Sequence, residues 1–181
     1  MLYHISESTA SVDFCNSIIR NGESLNVSDA KIYEGNDRNR KSKISWIKNN
    51  NLQNQLGSLI KEINEESNWN YSLKEFEPLQ YTLYNVGDYY DWHIDTHSEP
   101  YENGLIRKLS FTLCLNDEYE GGNFSICIPH PISKKTKVEK FKKPKVGTLI
   151  VFPSHSWHKV DKVTSGVRKT LVGWVLGKKW S

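Results

Sequence analysis

After Trp69 the chain changes character, and that change constrains the fold more than any other feature. From there on, short segments rich in Tyr, Val, Ile, Thr and Trp alternate with Gly, Pro and Asn. The pattern predicts strands near Leu79–Asn85, Tyr89–His93, Lys108–Asn116, Asn123–Ile128, Val138–Phe141, Thr148–Phe152, His158–Val163 and Arg168–Leu176, about eight in all. No long helices are interleaved with them, which excludes a doubly wound parallel sheet. A mainly β fold with N-terminal helices is expected, closed as a barrel or double-sheet jelly roll.

The helices precede the strands. Val12, Phe14, Cys15, Ile18 and Ile19 predict a first helix, capped by Ser8 or Thr9 and stopped at Gly22. Leu52, Leu56, Leu59, Ile60 and Ile63 recur at helical spacing and predict a second over Asn51–Glu66. With 181 residues, no internal repeat and no linker, one domain is expected. Its helical part runs over about 1–70 and its β core over about 78–177.

Bulk chemistry narrows the class. A net charge of +3 gives no argument for nucleic acid or membrane partners. Cys15, Cys114 and Cys127 are odd in number and widely spaced, which fits a reducing compartment without disulfides. The start, MLYHISESTASVDF, has no basic region followed by an apolar run, and no stretch suggests a membrane span. A cytoplasmic location is expected.

The chemistry concentrates in YNVGDYYDWHID. His93 and Asp95 stand two apart, so on a strand they share a face. His158 follows later, in SHSWHKV. Two imidazoles and one carboxylate form a facial set that suits non-haem Fe(II) and leaves positions open for a bidentate 2-oxo acid and dioxygen. An HxD pair alone is common on surface strands, so its surroundings must add weight. Arg168 lies ten residues beyond His158. On the last strand Arg168, Thr170, Val172 and Trp174 share one face, and Lys169, Leu171 and Gly173 the other. A guanidinium facing inward needs an anion, because an unpaired buried charge is very costly. The plainer alternative is an exposed strand start paired with a surface acid. On the Lys108–Asn116 strand, Leu109, Phe111, Leu113 and Leu115 form one face. Ser110, Thr112 and Cys114 form the other, which would bring Thr112 near a ligand, with Cys114 an ordinary core residue.

Four segments then carry a resemblance: YNVGDYYDWHID, RKLSFTLCLNDEYEGGNFSI, PKVGTLIVFPSHSWHKV and VTSGVRKTLVGWV. In this order they resemble the prolyl 4-hydroxylase-type 2-oxoglutarate/Fe(II) dioxygenases, including small microbial or viral members. The earlier RKSKISWI and ESNWNYSL match more loosely. The resemblance implies a double-stranded β-helix (jelly roll, cupin-like). It implies Fe(II) on His93, Asp95 and His158, with 2-oxoglutarate held by Arg168 and Tyr84. Trp174, Arg107 and Tyr90 correspond to positions near the substrate. It implies O2 as co-substrate and admits ascorbate as a reductant. No further catalytic residue is implied beyond the metal ligands. The activity implied is hydroxylation of a C–H bond, most often of a prolyl residue in a peptide or protein, with small molecules open as substrates. Asp95 favours hydroxylation, because halogenating relatives lack that carboxylate.

Two rivals remain at this point. Nucleic acid demethylases of the same superfamily carry their arginines at a longer spacing after the second histidine, with a further one beyond; here nothing but Arg168 follows. A non-catalytic, cupin-like metal-binding module would leave Tyr84, Arg168 and Trp174 without a reason to converge. Other features have plain readings. His97 is expected in a loop that could cover the site, His155 outside the metal set, and Trp92 in the core. Gly121–Gly122 reads as a turn, and Lys134–Lys145 as a solvated hairpin. Arg38–Lys43 is expected to border the pocket mouth, and oligomeric state is not readable.

Overall fold

The structure is a computed structural model and describes residues 1–30, 39–129 and 136–179. Two helices occur among them, α1 (Val12–Ser24) and α2 (Asn50–Glu66). The strands are β1 (His4–Ser6), β2 (Ser28–Asp29), β3 (Arg40–Lys41), β4 (Lys43–Ile47), β5 (Leu73–Phe76), β6 (Leu79–Tyr84), β7 (Tyr89–His93) and β8 (Leu105–Cys114). They continue with β9 (Tyr119–Gly121), β10 (Phe124–Pro129), β11 (Thr136–Phe141), β12 (Leu149–Pro153), β13 (His158–Val160), β14 (Val163–Gly166) and β15 (Arg168–Lys178).

Two antiparallel sheets face each other. The larger has the order β1-β12-β8-β15-β6-β4-β2, with β5 added on β15. The smaller has the order β11-β10-β13-β7-β3. Apart from the β10–β11 pair, most neighbours in these sheets are distant in sequence, as in a double-stranded β-helix. The expected mainly β fold is therefore present. The N-terminal part is less helical than expected: β1 to β4 lie within it, and β4 pairs along its length with β6. The strand predicted at His158–Val163 is two, β13 and β14.

Strand alternation sorts the core into two layers. Leu149 and Val151 of β12 face the helices, whereas Ile150 and Phe152 face the other sheet. Leu109, Phe111, Leu113 and Leu115 join the helix-side layer as their spacing predicted, with Cys15 and Ile18 of α1 and Leu52, Leu56, Ile60 and Ile63 of α2. The inter-sheet layer is smaller, built from Tyr84, Phe124, Ile126, Ile150, Phe152, Val160 and Val163. The helices thus seal one face of the large sheet, and the opposite face is left to line a cavity. Among the described residues no helix is long and apolar enough to cross a membrane.

The ends of α1 differ from expectation. Ser11, not Ser8 or Thr9, is the N-cap, and its hydroxyl accepts from Phe14 N at 3.2 Å. Ser8 has a positive φ of 59° and belongs to the preceding turn. Gly22 does not stop the helix; it lies within it, where α1 presses onto the sheet. A Cβ at Gly22 would sit 2.3 Å from Cγ of Tyr81. Tyr81 is fully buried, and its hydroxyl donates to Glu23 at 3.2 Å. Tertiary contact, not termination, explains this glycine.

Helix propensity alone would make Gly22→Ala stabilising by about 1 kcal/mol. The collision is with the root of a buried ring, which cannot swing aside, and overpacking of that kind costs about 1–3 kcal/mol. Gly22→Ala is therefore expected to lower the melting temperature by several degrees in thermal denaturation. A raised melting temperature would show that α1 is not pressed against Tyr81.

Candidate metal centre

The triad assembles from two segments that pair across the small sheet. His93 ends β7 and His158 opens β13, and the two are direct cross-strand partners. Asp95 lies just past the end of β7, not on it, so its placement owes nothing to strand alternation. Its backbone N–H and that of Thr96 donate to Ser154 O at 2.9 and 3.2 Å, which turns the chain back toward β12.

The donor atoms of His93, Asp95 and His158 all lie within 4.8 Å of one another. His93 Nε2 is 3.7 Å from Asp95 Oδ1, and His158 Nε2 is 3.4 Å from Asp95 Oδ2. Each ring is oriented from behind. His93 Nδ1 is 2.7 Å from Asp91 O, and His158 Nδ1 is 2.9 Å from Ser156 O. A carbonyl can only accept, so each Nδ1 carries the proton and each Nε2 offers its lone pair inward. Burial and the neighbouring His158 push the His93 pKa down to about 3. Burial would raise Asp95, but the two imidazoles, Arg107 and a Ser110 hydrogen bond together hold it well below the usual carboxylate range. At neutral pH these two donors carry no competing proton. Two imidazoles and a carboxylate on one side of a cavity fit Fe(II).

Arg168 is the second anchor. It is 2% exposed, and it lies opposite Tyr84 in the β15–β6 register. Its guanidinium sits 5.3 Å from the Tyr84 ring centroid. Among the described residues no carboxylate forms an ion pair with it, and its Nε has no hydrogen-bond partner. The Tyr119 side chain hydrogen-bonds it without balancing its charge, because burial pushes the Tyr119 pKa up and keeps that phenol neutral. The alternative of an exposed strand start with a surface acid is excluded. Arg168, Tyr84, Thr112, Thr170 and Trp174 line the same inner cavity as the triad. The hydroxyl of Thr170 and the indole N–H of Trp174 are also buried without partners. A buried cation with orphan donors around it fits a ligand bearing a distal carboxylate, as 2-oxoglutarate does.

A wider cleft of about 880 Å³ opens outward from the triad. Trp174 and Tyr90 line both spaces. Tyr90 stacks on His93, ring centroids 3.4 Å apart and planes within 10°. Arg107 reaches the cleft as well, but its charge is taken. Its Nε and Nη2 donate to the two Glu77 carboxylate oxygens at 2.7 and 2.6 Å, and its guanidinium lies 3.9 Å from the Trp174 ring. Trp92 is a correction: it is half-buried and lines the cleft, with Lys159 Nζ 5.3 Å from its ring. Asp91 and Trp92 stand opposite the single residue Lys159, a bulge that prevents simple alternation there.

His97 lies in the loop after the triad, edge-on to Tyr101, and also lines the cleft. His155 is outside the metal cluster, as expected. Arg40 of the basic stretch reaches the mouth, donating to Gln80 Oε1 at 2.9 Å, whereas Arg38 lies outside the described residues. Lys134 and Lys135 lie outside them too. Lys137, Lys140, Lys143 and Lys145 each pair with a carboxylate, which fits a solvated hairpin.

Sequence reasoning missed several supporting residues. Gly122, read as a turn, makes room for the deep cation: a Cβ there would lie 2.9 Å from Arg168 Cδ. Glu77 and Gln80 sit outside any motif, and Ser154 lies inside a matching segment that assigns it no role; what all three do depends on pairings that join distant segments. For Ser110 the inward polar alternation was a signal, but it does not say which polar residue meets which ligand.

Comparison with known proteins agrees with this geometry. A PKHD-type hydroxylase of Synechococcus sp. (strain CC9902) is 39% identical over 92 residues, covering 50% of this chain and 37% of that protein. Another, of Prochlorococcus marinus, is 31% identical over 149 residues, covering 81% of this chain and 60% of that protein. The chain thus spans about half the length of the curated relatives it matches. In fold, it is similar to the viral collagen prolyl hydroxylase of Paramecium Bursaria Chlorella virus-1 solved with 2OG. The TM-score is 0.72 at 20% identity, over 98% of this chain and 97% of that one. It is also similar to a Trichoplax adhaerens prolyl hydroxylase solved with a hypoxia inducible factor peptide fragment. There the TM-score is 0.75 at 21% identity, over 96% of this chain and 82% of that one. A family profile described as the 2OG-Fe(II) oxygenase superfamily matches residues 79–176, the stretch that holds Tyr84, the whole triad, Arg168 and Trp174, and the chain belongs to that superfamily.

Proposed function

We propose that this chain is an Fe(II)- and 2-oxoglutarate-dependent dioxygenase that hydroxylates an unactivated C–H bond of a prolyl residue in a peptide or protein. The observation that carries the reading is Arg168. A guanidinium buried without a carboxylate partner is retained against a large desolvation cost, and it faces the cavity that also holds the triad. That pairing suits a 2-oxo diacid, one end on the metal and the other on the cation.

His93, Asp95 and His158 would hold the metal, and Arg168, Tyr84 and Thr112 the cosubstrate. When bound, iron supplies the redox chemistry that couples decarboxylation of 2-oxoglutarate by O2 to hydroxylation, with succinate and CO2 released. The chain's own residues do the rest. The inter-sheet aromatics Phe124 and Phe152 pack around His158, at 5.7 and 4.6 Å between ring centroids, and keep water from that side. Trp174, Tyr90 and Arg107 would position the substrate from the cleft. The names of the relatives support hydroxylation, and the peptide-bound neighbour supports an extended substrate. The cleft's size and its exposed Trp46 and Trp157 suit such a chain.

Anaerobic titration tests the centre. A weak visible absorption band is expected with Fe(II) and 2-oxoglutarate together, with neither alone, and it should vanish in His93→Ala. Absence of both the band and succinate release in the parent protein would refute the assignment. Arg168→Met is expected to weaken 2-oxoglutarate binding by about 100-fold, the equivalent of a lost charge-assisted bidentate contact of about 3 kcal/mol. Metal affinity measured without cosubstrate should stay unchanged, because Arg168 is not a ligand. A peptide library with and without proline, read by succinate formation, tests the substrate. Turnover independent of proline would remove the prolyl assignment and leave the chemistry standing.

A further inference from the structure

Arg107 faces the outer cleft, yet it is not a free cation there. A bare guanidinium in a cleft wall would draw carboxylates, because its planar fork of donors matches them bidentately. Each of its three nitrogens already has an acceptor within the protein. Nε and Nη2 donate to Glu77 Oε1 and Oε2 at 2.7 and 2.6 Å, and Nη1 donates to Asp95 O at 3.4 Å. The Arg107 and Glu77 side chains are 13% and 15% exposed, so little water screens the pair. Arg107 lines the cleft, and Glu77 holds it from behind.

The backbone prepares Glu77 for this task. It falls in the bend between β5 and β6, just before Pro78, where extended conformations are favoured. Its N–H donates to Trp174 O at 3.1 Å, and its carbonyl accepts from Gln53 Nε2 of α2 at 2.9 Å. Glu77 is thus tied to the same tryptophan whose ring lies 3.9 Å from the Arg107 guanidinium. Its carboxylate also has a third donor: Tyr101 OH reaches Oε1 at 2.9 Å. Tyr101 belongs to the loop between Asp95 and β8. Its N–H donates to Leu105 O at 2.9 Å, and its carbonyl accepts from Gly104 N at 2.8 Å, which closes a tight turn around it. Burial pushes the Tyr101 pKa up to about 12, so the phenol keeps its proton at neutral pH.

An acidic side chain entering the cleft therefore meets Arg107 and Glu77 together. The guanidinium attracts it, the carboxylate repels it, and the nitrogens that would bind it are occupied. The acid loses hydration and gains no partner. An uncharged ring loses far less and gains the stacked face of Arg107 and Trp174. Arg168 is the contrast: its Nε is open, and no carboxylate lies beside it among the described residues.

We propose that Glu77, held by Tyr101, is a positioning residue that sets the charge selectivity of the outer cleft. It fixes Arg107 flat on Trp174 and cancels its charge, so the cleft takes uncharged groups beside the reacting residue and rejects acidic ones. The proposal rests on the reading of the cleft as the substrate site, and the test separates the two.

The probe is the library peptide that the parent turns over fastest, remade with Asn or with Asp beside the reacting residue. Succinate release by the full chain with Fe(II) and 2-oxoglutarate gives kcat and KM for each. The parent is expected to favour Asn about tenfold in kcat/KM, through KM, because like charges brought together oppose binding. Glu77→Gln frees the Arg107 charge, and the preference should fall to parity or reverse. Glu77→Gln combined with Arg107→Gln leaves neither charge unpaired and should treat both peptides alike. That double variant decides the matter where the single one does not fold, and a retained preference in it overturns the proposal. Tyr101→Phe keeps the ring and should raise KM for the Asn peptide about threefold, the scale of one lost hydrogen bond, with kcat near the parent value. The visible band with Fe(II) and 2-oxoglutarate should stay in place in both single variants. A purely structural role lowers turnover of both peptides in proportion and leaves their ratio where it was, which overturns the proposal. A parent that prefers Asp also overturns it, with the dioxygenase reading intact. An unchanged KM in Tyr101→Phe overturns the part given to Tyr101. If the parent releases no succinate with any peptide, both readings fall together.

Discussion

Arg168 is the residue around which the rest must be arranged. Its charge is buried on the central strand of the larger sheet, where desolvation costs several kcal/mol before any partner is found. Among the described residues the fold does not supply a carboxylate. It supplies a rigid frame instead: β6 and β8 flank β15 on either side. The ring of Tyr84 lies against the guanidinium and Gly122 leaves room for its stem. An internal acid would relieve the charge and would also compete with an incoming diacid. Leaving it open keeps the cavity selective for an anion.

A strand can carry such a charge only if its other face is stable by itself. That is the work of α1 and α2. Leu171 and Val175 of β15 pack into the helix-side layer, which holds most of the buried apolar side chains. At about 25 cal/mol per Å² of apolar surface, burial on that side is the dominant favourable contribution. The cavity side can then contain Thr112, Thr170, Ser110 and Gln80, all buried and polar. The small sheet contributes a thinner apolar layer and two metal ligands. Stability and chemistry are divided between the two faces of one sheet.

That division explains what was legible in the sequence. The alternation along Lys108–Asn116 and along Arg168–Trp174 was readable, because period two is a local property of a strand. The triad and its cation were readable through their spacing and the matching motifs. Gly22 was misread because a helix stop and a close tertiary approach select the same residue. Trp92 was misread because a bulge in its own strand, where Asp91 and Trp92 stand opposite the single residue Lys159, breaks the alternation. Asp95 was placed on a strand it does not occupy, and the contact that positions it instead comes from the backbone carbonyl of Ser154, which no side-chain pattern announces. Glu77 and Gln80 were invisible for the same reason: their partners, Arg107 and Arg40, are about 30 to 40 positions away.

The three arginines near the site show how the fold decides which charge serves a ligand. Arg107 sits at the cleft, and a bidentate bond to Glu77 neutralises it. Arg40 borders both spaces and is only half-buried, so water shares its charge. It donates to the neutral oxygens of Ser42 and Gln80 and lies 4.7 Å from the Tyr90 ring. Arg168 is the one of the three that is buried with no carboxylate beside it among the described residues. The inner cavity therefore keeps its positive charge for a small anion. The outer cleft presents a flat guanidinium on Trp174, stacked Tyr90 and exposed indoles, a surface that favours uncharged, ring-bearing or extended groups through stacking and apolar contact. Two ligands of opposite chemical character are thus separated by depth, with the triad at the boundary where they must meet.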